Sequence, residues 1–555
     1  MITKSLKSRY YHLLISLFLT FFFSISTTTA TESRIIHFPP DRSIGEVSIR
    51  DMNSSTEGSY ALCFWEELGP AKGNVAIPAN KTVRLDISKE AWQGGKPFED
   101  LKPDDIQMLS FRKYRDADDS ALEDISTLSC LQVLDLLRTQ ILGTGLKHLE
   151  KLNNLRWLRL TSTHVGDDEL APLVGLESLE YLNLNYTPVS NAGMVHIGKI
   201  KTLKSLYLQR TSVDDDGLEH IKNFTSLREL DLGQNHITDE GLKRIAGLTE
   251  LEELDLQHTQ ISGAGLAHLS QMKKLKTLHL WSTKIDDEGL KHIRHLDSLE
   301  SLQLPFYIRC PDADPSKMMP ITDAGLVHIS ELKTLKDLLI ISDSITNKGL
   351  ETLATLPSLE ILNTGGSNIN DVSMTKLKKF PSLERLFIQH CSVTDEGLAE
   401  LKALKSLTYL CIRSSSITGE GLAALKELPN LVELQLVDLN LGKVGLSGLA
   451  GMTSLENLVL HIEIKDEDFA GLPDLKNLTS LNIYSENITD EGLRCLARQK
   501  SLETLILYCP EITDAGLTYL EGLSSLKLLD LKDTKVTEQG ITKLKKKIPA
   551  LEYSL

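Results

Sequence analysis

Six histidines are the residues of this chain whose type and spacing come nearest to a recognisable chemistry. His148, His196, His220, His268, His292 and His328 each stand two places after the apolar residue of a Gly-Leu or Gly-Met pair. Neutral imidazole is a common ligand of zinc and copper, and helical turns ~9 Å apart would bring two such rings near one ion. No acidic or sulfur pattern beside them completes a tetrahedral set. Duplication of one tolerated histidine is the simpler account, so no metal and no other cofactor is expected.

Thr-Asp and Asp-Glu pairs are the second candidate, since paired carboxylates can act as general acid and base. They recur, however, at one place in nearly every unit of a long repeat, as at Thr238-Asp239. A residue present in every unit reads as scaffold, here a cap that accepts orphan backbone N–H groups at a helix start. G-x-S-x-G, H-E-x-x-H, a Walker loop and paired C-x-x-C motifs are missing from the sequence. No catalytic residue is nominated, and the chain reads as a non-enzyme; an enzyme with an unrecognised site is the alternative. Seven cysteines in 555 residues are too few for a disulfide scaffold, and the odd number leaves at least one unpaired or intermolecular. Cys63 and Cys130 are a possible pair, and Cys310 a possible reactive thiol, but spacing decides neither.

Charge narrows the partners. The formal net charge is −16, and loss of Lys4, Lys7 and Arg9 with a leader would bring it to −19. Nucleic acid is held mainly by Lys and Arg displacing counterions, so a nucleic-acid partner is not expected. Residues 1–30 read as an export signal: a basic start, the apolar run Leu13 to Ile25, and small residues before a cut near Ala30. That run falls short of the ~20 apolar residues that span a bilayer, although an uncleaved anchor is the alternative. The expected destination is secreted, periplasmic or cell-surface, without stable membrane insertion. Six N-x-S/T triplets begin at Asn53, Asn80, Asn185, Asn223, Asn477 and Asn487 and matter only where the source glycosylates.

The elements that must position any site come from the repeat. Seventeen units of about 24 residues fill 131–549; repeat one starts at Leu131, repeat five at Leu227, repeat nine at Leu335 and repeat seventeen at Leu526. Repeat five is a clean example, LRELDLGQNHITDEGLKRIAGLTE. Its L-x-L alternation suits a short strand with one buried face. Leu242, Ile245 and Leu248 then recur every third residue, as in a short helix or 3₁₀ turn lying on a core. Glycine holds the place two after this capping pair in 14 of 17 units, with Glu169, Ser373 and Asp468 as exceptions; it is expected to ease a tight entry to the helical turn. No unit buries both faces alone, but stacking makes one leucine core. The expected fold is therefore α/β: a right-handed β-α solenoid, with parallel strands on the concave face and short helices or 3₁₀ turns on the convex face. Seventeen strands at ~4.8 Å give an inner arc of roughly 75–80 Å, a horseshoe.

The ITDEGL segments at Ile237 and Ile488, and VTDEGL at Val393, resemble the leucine-rich repeats of the ribonuclease-inhibitor-like, cysteine-containing subtype. Similar units form the substrate-binding half of F-box proteins and occur in signal-bearing bacterial surface proteins. The resemblance covers about three quarters of the chain and implies binding of other macromolecules. The subtype often has Cys at the ninth place of the unit; here Thr is usual and Cys stands there only at Cys391.

Residues 31–130 are expected to form an N-terminal cap. Val75–Pro78 and Thr82–Ile87 read as strands joined at Asn80, and Leu109, Phe111, Leu122, Ile125 and Leu128 as a degenerate repeat. A separate ligand-binding β module is the alternative. The insertion at 305–320 contains four prolines and should project as a loop. Lys545–Lys547 should close the last helical turn, leaving 550–555 as a tail.

Residues flanking the inward leucines must point onto the concave sheet. This reading nominates Trp157, Arg159, Thr161, Tyr181, Asn183, Asn185, Ser205, Tyr207 and Gln209, then the acidic Glu229, Asp231, Glu253 and Asp255, and Trp281. Trp, Tyr and Arg dominate binding hot spots. Trp157, Arg159, Tyr181 and Tyr207 are thus expected to contact a partner, the acidic strip to select a basic region, and removal of the Trp157 and Tyr207 rings to leave thermal unfolding unchanged. The function so indicated is an exported, non-enzymatic recognition or scaffold protein binding a protein, peptide or glycan. An intracellular F-box-like adaptor is the alternative, opposed by the export signal and by the lack of an F-box segment.

Overall fold

The computed structural model describes residues 33–51, 65–93, 95–305, 321–413 and 415–555. The leader at 1–30, Cys63, Cys310 and all of the insertion beyond Pro305 lie outside these residues. The chain forms a solenoid around one open sheet. Strands β2 (Gly45–Asp51) and β3 (Glu66–Pro70) pair antiparallel at its N-terminal edge. A longer strand, Lys81–Ile87, pairs antiparallel with β2 and parallel with Met108–Ser110. From there every neighbour is parallel, from Val133–Asp135 of repeat one to Leu528–Asp530 of repeat seventeen. Residues 550–555 are not a free tail: Glu552–Ser554 adds a last parallel strand. β1 (Arg34–His37) pairs with Asn74–Ile77 in a separate two-stranded ribbon. Asn80 turns that second strand into Lys81–Ile87 with a left-handed φ of 59°.

One leucine core runs the length of the stack, and Leu230, Leu232, Ile237, Leu242, Ile245 and Leu248 of repeat five show its composition. The return limb of each unit is a short α-helix or 3₁₀ helix, such as Asp239–Ile245, capped by the Thr238 side chain, which accepts from Glu240 N. The Asp beside the cap does something the sequence reading did not anticipate. Asp323 Oδ1 accepts the backbone N–H of Thr346 at 2.9 Å, and its Oδ2 accepts the Thr346 hydroxyl at 2.6 Å. The same clip joins Asp287 to Thr322, Asp395 to Thr418 and Asp490 to Thr513. Each carboxylate therefore ties one repeat to the next.

This clip corrects the reason for the repeated glycine. Gly325 and Gly349 are not in the left-handed region; a Cβ on either would stand 2.3 Å from the Asp Oδ1 of the preceding repeat. In most units glycine makes room for its neighbour's side-chain oxygen; Gly289, which follows Gly263, lies against that residue's backbone instead, and Gly445, which follows Gly419, is left-handed. The three exceptions follow the same rule, because Glu169, Ser373 and Asp468 succeed repeats that carry Gly143, Asn347 and Lys443 in place of that Asp.

Strand length divides the stack. The strands of repeats one to eight have three residues and those of repeats nine to sixteen have five. In repeats one to seven the eighth residue of the unit turns left-handed (Arg138, Ser162, Tyr186, Arg210, Gln234, His258, Ser282). The ninth residue locks that turn: the Thr163 and Thr187 hydroxyls donate to Leu160 O and Leu184 O at 2.7 and 2.6 Å. Asn235 does the same work with its amide in repeat five. Where Asp343, Ser367 or Cys391 holds the ninth place, strand pairing runs two residues further. Thr at this place thus ends the strand early.

Candidate ligand-binding surface on the concave face

Three lanes of side chains run across the concave sheet, 24 residues apart in sequence and one strand apart in space. The structure brings Trp157, Tyr181 and Tyr207 together. Trp157 stacks on Tyr181 with ring centroids 4.3 Å apart and planes 14° apart, and Tyr181 leans on Tyr207 at 5.1 Å. With Met108 and Val133 they form a second apolar cluster on the concave side of the sheet. Trp157 is consequently only 3% exposed and Tyr181 8%. The expectation of freely presented hot-spot rings is corrected: these aromatics point into the hollow but cover one another. Removing them should therefore disturb folding as well as binding.

The polar residues nominated around them are largely committed to each other. Arg159 Nε donates to Thr161 Oγ1 at 3.2 Å, Thr161 Oγ1 donates to Asn183 Oδ1 at 2.7 Å, and Asn183 Nδ2 donates to the Tyr181 hydroxyl at 3.1 Å. Asn185 accepts the backbone N–H of Gln209 and donates to Asp231 Oδ2 at 3.2 Å. Ser205 is buried. Burial pushes the Tyr181 and Tyr207 phenols well up from their ordinary value. Trp281 stands apart from this cluster, edge-on to His258 at 4.5 Å.

The acidic residues do assemble. Register places Glu229 beside Glu253 and Asp231 beside Asp255, with His279 next in line. Asp337 continues the Glu229 lane after Thr277 and Ser301. Like charges directly opposite on neighbouring strands repel, and the sheet offers little neutralisation: His279 Nδ1 lies 3.4 Å from Asp255 Oδ2. Burial raises the Asp231 carboxyl, and the charge of Asp255 raises it further. Burial likewise raises Glu253 and Asp337. Burial alone would lower His279, yet the bond to Asp255 and the surrounding carboxylates leave it raised. The arrangement holds protons in the empty hollow and favours an incoming cation.

Beyond the residues nominated from sequence, which end at Trp281 of repeat seven, the far half of the face carries aromatic rings as well. There Phe387 meets Tyr409 at 4.7 Å, with the Arg385 guanidinium 4.1 Å over the Tyr409 ring. Tyr484 stacks on Tyr508 at 4.6 Å and 10°, with His461 at 5.4 Å. These rings were findable by continuing the same lanes, since Tyr484 and Tyr508 hold equivalent places in adjacent units.

Among the described residues no three His, Cys, Asp or Glu side chains converge as a metal site. Burial pushes the thiols of Cys391 and Cys509 up to about 11, and those of Cys411 and Cys495 to about 12, which keeps them protonated and unreactive. Among the described residues no helix is long and apolar enough to cross a membrane.

Comparison with known proteins agrees with this architecture. A family model described as a leucine-rich repeat region matches residues 107–395, and a second leucine-rich repeat model matches 474–497. Among solved structures, the TLR13–ssRNA13 complex is 19% identical, covering 82% of this chain and 70% of that chain with a TM-score of 0.52. An internalin from Listeria monocytogenes is 24% identical, covering 64% of this chain and 88% of its own at a TM-score of 0.38. An LRR protein of Leptospira interrogans is 20% identical, covering 85% and 99% at 0.37. No curated protein sequence matches the chain.

Proposed function

The chain belongs to the leucine-rich repeat family, and from that premise we propose that it is an exported, non-enzymatic recognition protein that holds a basic polypeptide segment in its hollow. The observation that carries this reading is the pair of neighbouring acidic lanes, Glu229, Glu253 and Asp337 in one and Asp231 and Asp255 in the other, with His279 as the cation-forming residue next in line. These carboxylates accept hydrogen bonds from Tyr207, Asn185, Gln257 and Ser301, but His279 is the one cation-forming group bonded to them; partly buried charge with so little neutralisation is costly, and a Lys or Arg side chain would relieve both the repulsion and the burial. Rigid parallel strands hold the lane without rearrangement, which lowers the ordering cost of binding. Export rests on the basic and apolar leader of residues 1–30.

The test is fluorescence anisotropy of a labelled Lys/Arg-rich peptide against the full chain without its leader, with a Glu-rich peptide as control. The basic peptide should bind, and weaken steeply with salt. The triple variant Glu229→Gln, Glu253→Gln and Asp337→Asn should bind it at least tenfold more weakly, about 1.4 kcal/mol. Equal affinity of the variant and the parent would sink the reading. Export is checked separately by mass spectrometry of the mature N-terminus: an intact Met1 in a cytosolic fraction would refute it.

A further inference from the structure

The lane that holds Glu229, Glu253 and Asp337 changes sign further along the arc. Register carries it from Asp337 through Ile361, Arg385 and Tyr409 to Glu433, one residue to a strand in repeats nine to thirteen. An apolar or aromatic residue stands on either side of the arginine, so each acid lies two strands away, about 10 Å. Both acids have other partners. Asp337 accepts from the Ser301 hydroxyl at 3.1 Å, and Glu433 accepts from the Gln435 amide at 2.9 Å. Among the described residues the Arg385 guanidinium makes no hydrogen bond and no ion pair. Other arginines in the outward lanes do find a carboxylate: Arg84 reaches Asp86 at 2.6 Å, Arg159 reaches Asp135 at 3.9 Å and Arg413 reaches Asp438 at 3.3 Å. Arg385 differs from them.

What holds Arg385 is a ring. Its guanidinium lies 4.1 Å over Tyr409, which is 2% exposed and braced by Phe387 at 4.7 Å. The face of an aromatic ring attracts a cation, and a guanidinium so held keeps N–H donors for a carboxylate, whose two oxygens match its fork. Arg385 is itself half-buried, and partly buried charge without a counter-charge is costly. The fold therefore positions a cation and leaves its anion to come from outside. A carboxylate fits better than a phosphate dianion, because only one guanidinium is offered and Asp337 and Glu433 oppose a second negative charge.

We infer that Arg385 receives an Asp or Glu side chain of the polypeptide partner, next to the basic segment that lies on the acidic lanes. The inference rests on the reading of the hollow as the seat of a basic polypeptide and adds an order of charges to it. A partner cation on Asp337 and a partner carboxylate on Arg385 stand two strand spacings apart, a distance that about three extended residues cover. The partner thus carries an acidic residue about three places beyond the end of its basic run, and Arg385 fixes where along the arc that run stops.

Three labelled peptides test this by fluorescence anisotropy against the full chain without its leader. All are amidated at the C-terminus, which removes the terminal carboxylate as a second source of the anion. The first carries a Lys/Arg block with Glu about three places beyond it. The second has Gln in place of that Glu, and the third has its Glu about seven places beyond the block. The parent should bind the first about fivefold tighter than either of the others. Arg385→Gln should abolish that preference. Arg385→Lys keeps a charge near Tyr409 but loses the fork; it should retain only part of the preference, and it replaces the glutamine variant if that one unfolds. Equal binding of the first peptide and either of the others by the parent, or a preference that persists in Arg385→Gln, overturns the site at Arg385 alone. Failure of all three peptides to bind the parent overturns the basic-peptide reading and this inference with it.

Discussion

Repeats one to seven and repeats nine to sixteen share one leucine core and one inter-repeat clip, but they present different faces to the hollow. The first group ends its strands early with a Thr or Asn lock after a left-handed residue; the left-handed turn alone does not do this, since His390 and Asp438 adopt it after five-residue strands. Its concave residues are aromatic, polar and acidic, and they satisfy or repel one another across strands. The second group runs five-residue strands and places Leu339, Val459 and Ile506 in the middle lane, with Tyr484 and Tyr508 along the rim. The difference shows that a repeat separates two problems. Inward positions keep the stack together and hardly vary; outward positions are held in register by that stack and are free to specialise sector by sector.

The comparison breaks most visibly at the aromatic rings. Trp157→Ala should cost about 3 kcal/mol, because a nearly buried ring leaves a cavity. Tyr508→Ala, on the more open stack, should cost about 1 kcal/mol. Hydrogen exchange of the strand amides around each site reads the two costs locally, which suits a stack that can open in segments. Similar losses at the two sites would erase the distinction between buried and presented aromatics.

A smaller effect concerns what the two halves share. Gly241→Ala and Gly349→Ala both drive a methyl into a clipped carboxylate at 2.3 Å, and each should cost about 1–3 kcal/mol by breaking the clip. Adding Asp215→Ala to the first, or Asp323→Ala to the second, should recover part of that loss in a double-mutant cycle. Thermal melts of the single and double variants check it; purely additive losses would mean that the glycine serves its own backbone instead.

Protonation separates the halves again. The raised Asp231, Glu253 and Asp337 carboxyls bind protons more tightly folded than unfolded. Their contribution is fully present below the unfolded carboxylate pKa and is lost as pH rises through the folded one. The raised His279 contributes with the same sign, present at low pH and lost on the alkaline side. Repeats five to nine should therefore loosen as pH rises toward about 8, where Asp231 gives up its proton; Glu433 of repeat thirteen is raised by burial as well, so the change should be smallest in repeats fourteen to sixteen. Asp231→Asn should stabilise the protein by roughly 1 kcal/mol at pH 8 and leave it unaltered near pH 3, read from melting temperature across pH.

The finest distinction is the strand stop. Thr163→Val removes a hydroxyl that donates to Leu160 O and should cost about 1 kcal/mol, whereas Ser367→Ala, at the equivalent place of a five-residue strand, should stay within about 0.5 kcal/mol. Urea midpoints of the two variants decide it.

By itself the sequence determined the solenoid, the inward leucines, the cap threonines and the identity of the residues lining the hollow. Those follow from local periods of two and three residues inside each unit, and the period of 24 merely repeats them. It also contained the clip, since Gly143, Asn347 and Lys443 each precede a repeat without the usual glycine, but that pairing spans two units and is invisible to a unit read alone. Only the tertiary structure decided that Trp157 and Tyr181 are covered, that Asp231 faces Asp255, and that Arg385 lies over the Tyr409 ring. Burial and charge are properties of side chains one strand apart, and that distance of about 5 Å corresponds to 24 residues of chain. Residue type and direction are written locally; exposure, repulsion and an unpaired donor exist only once the strands are stacked.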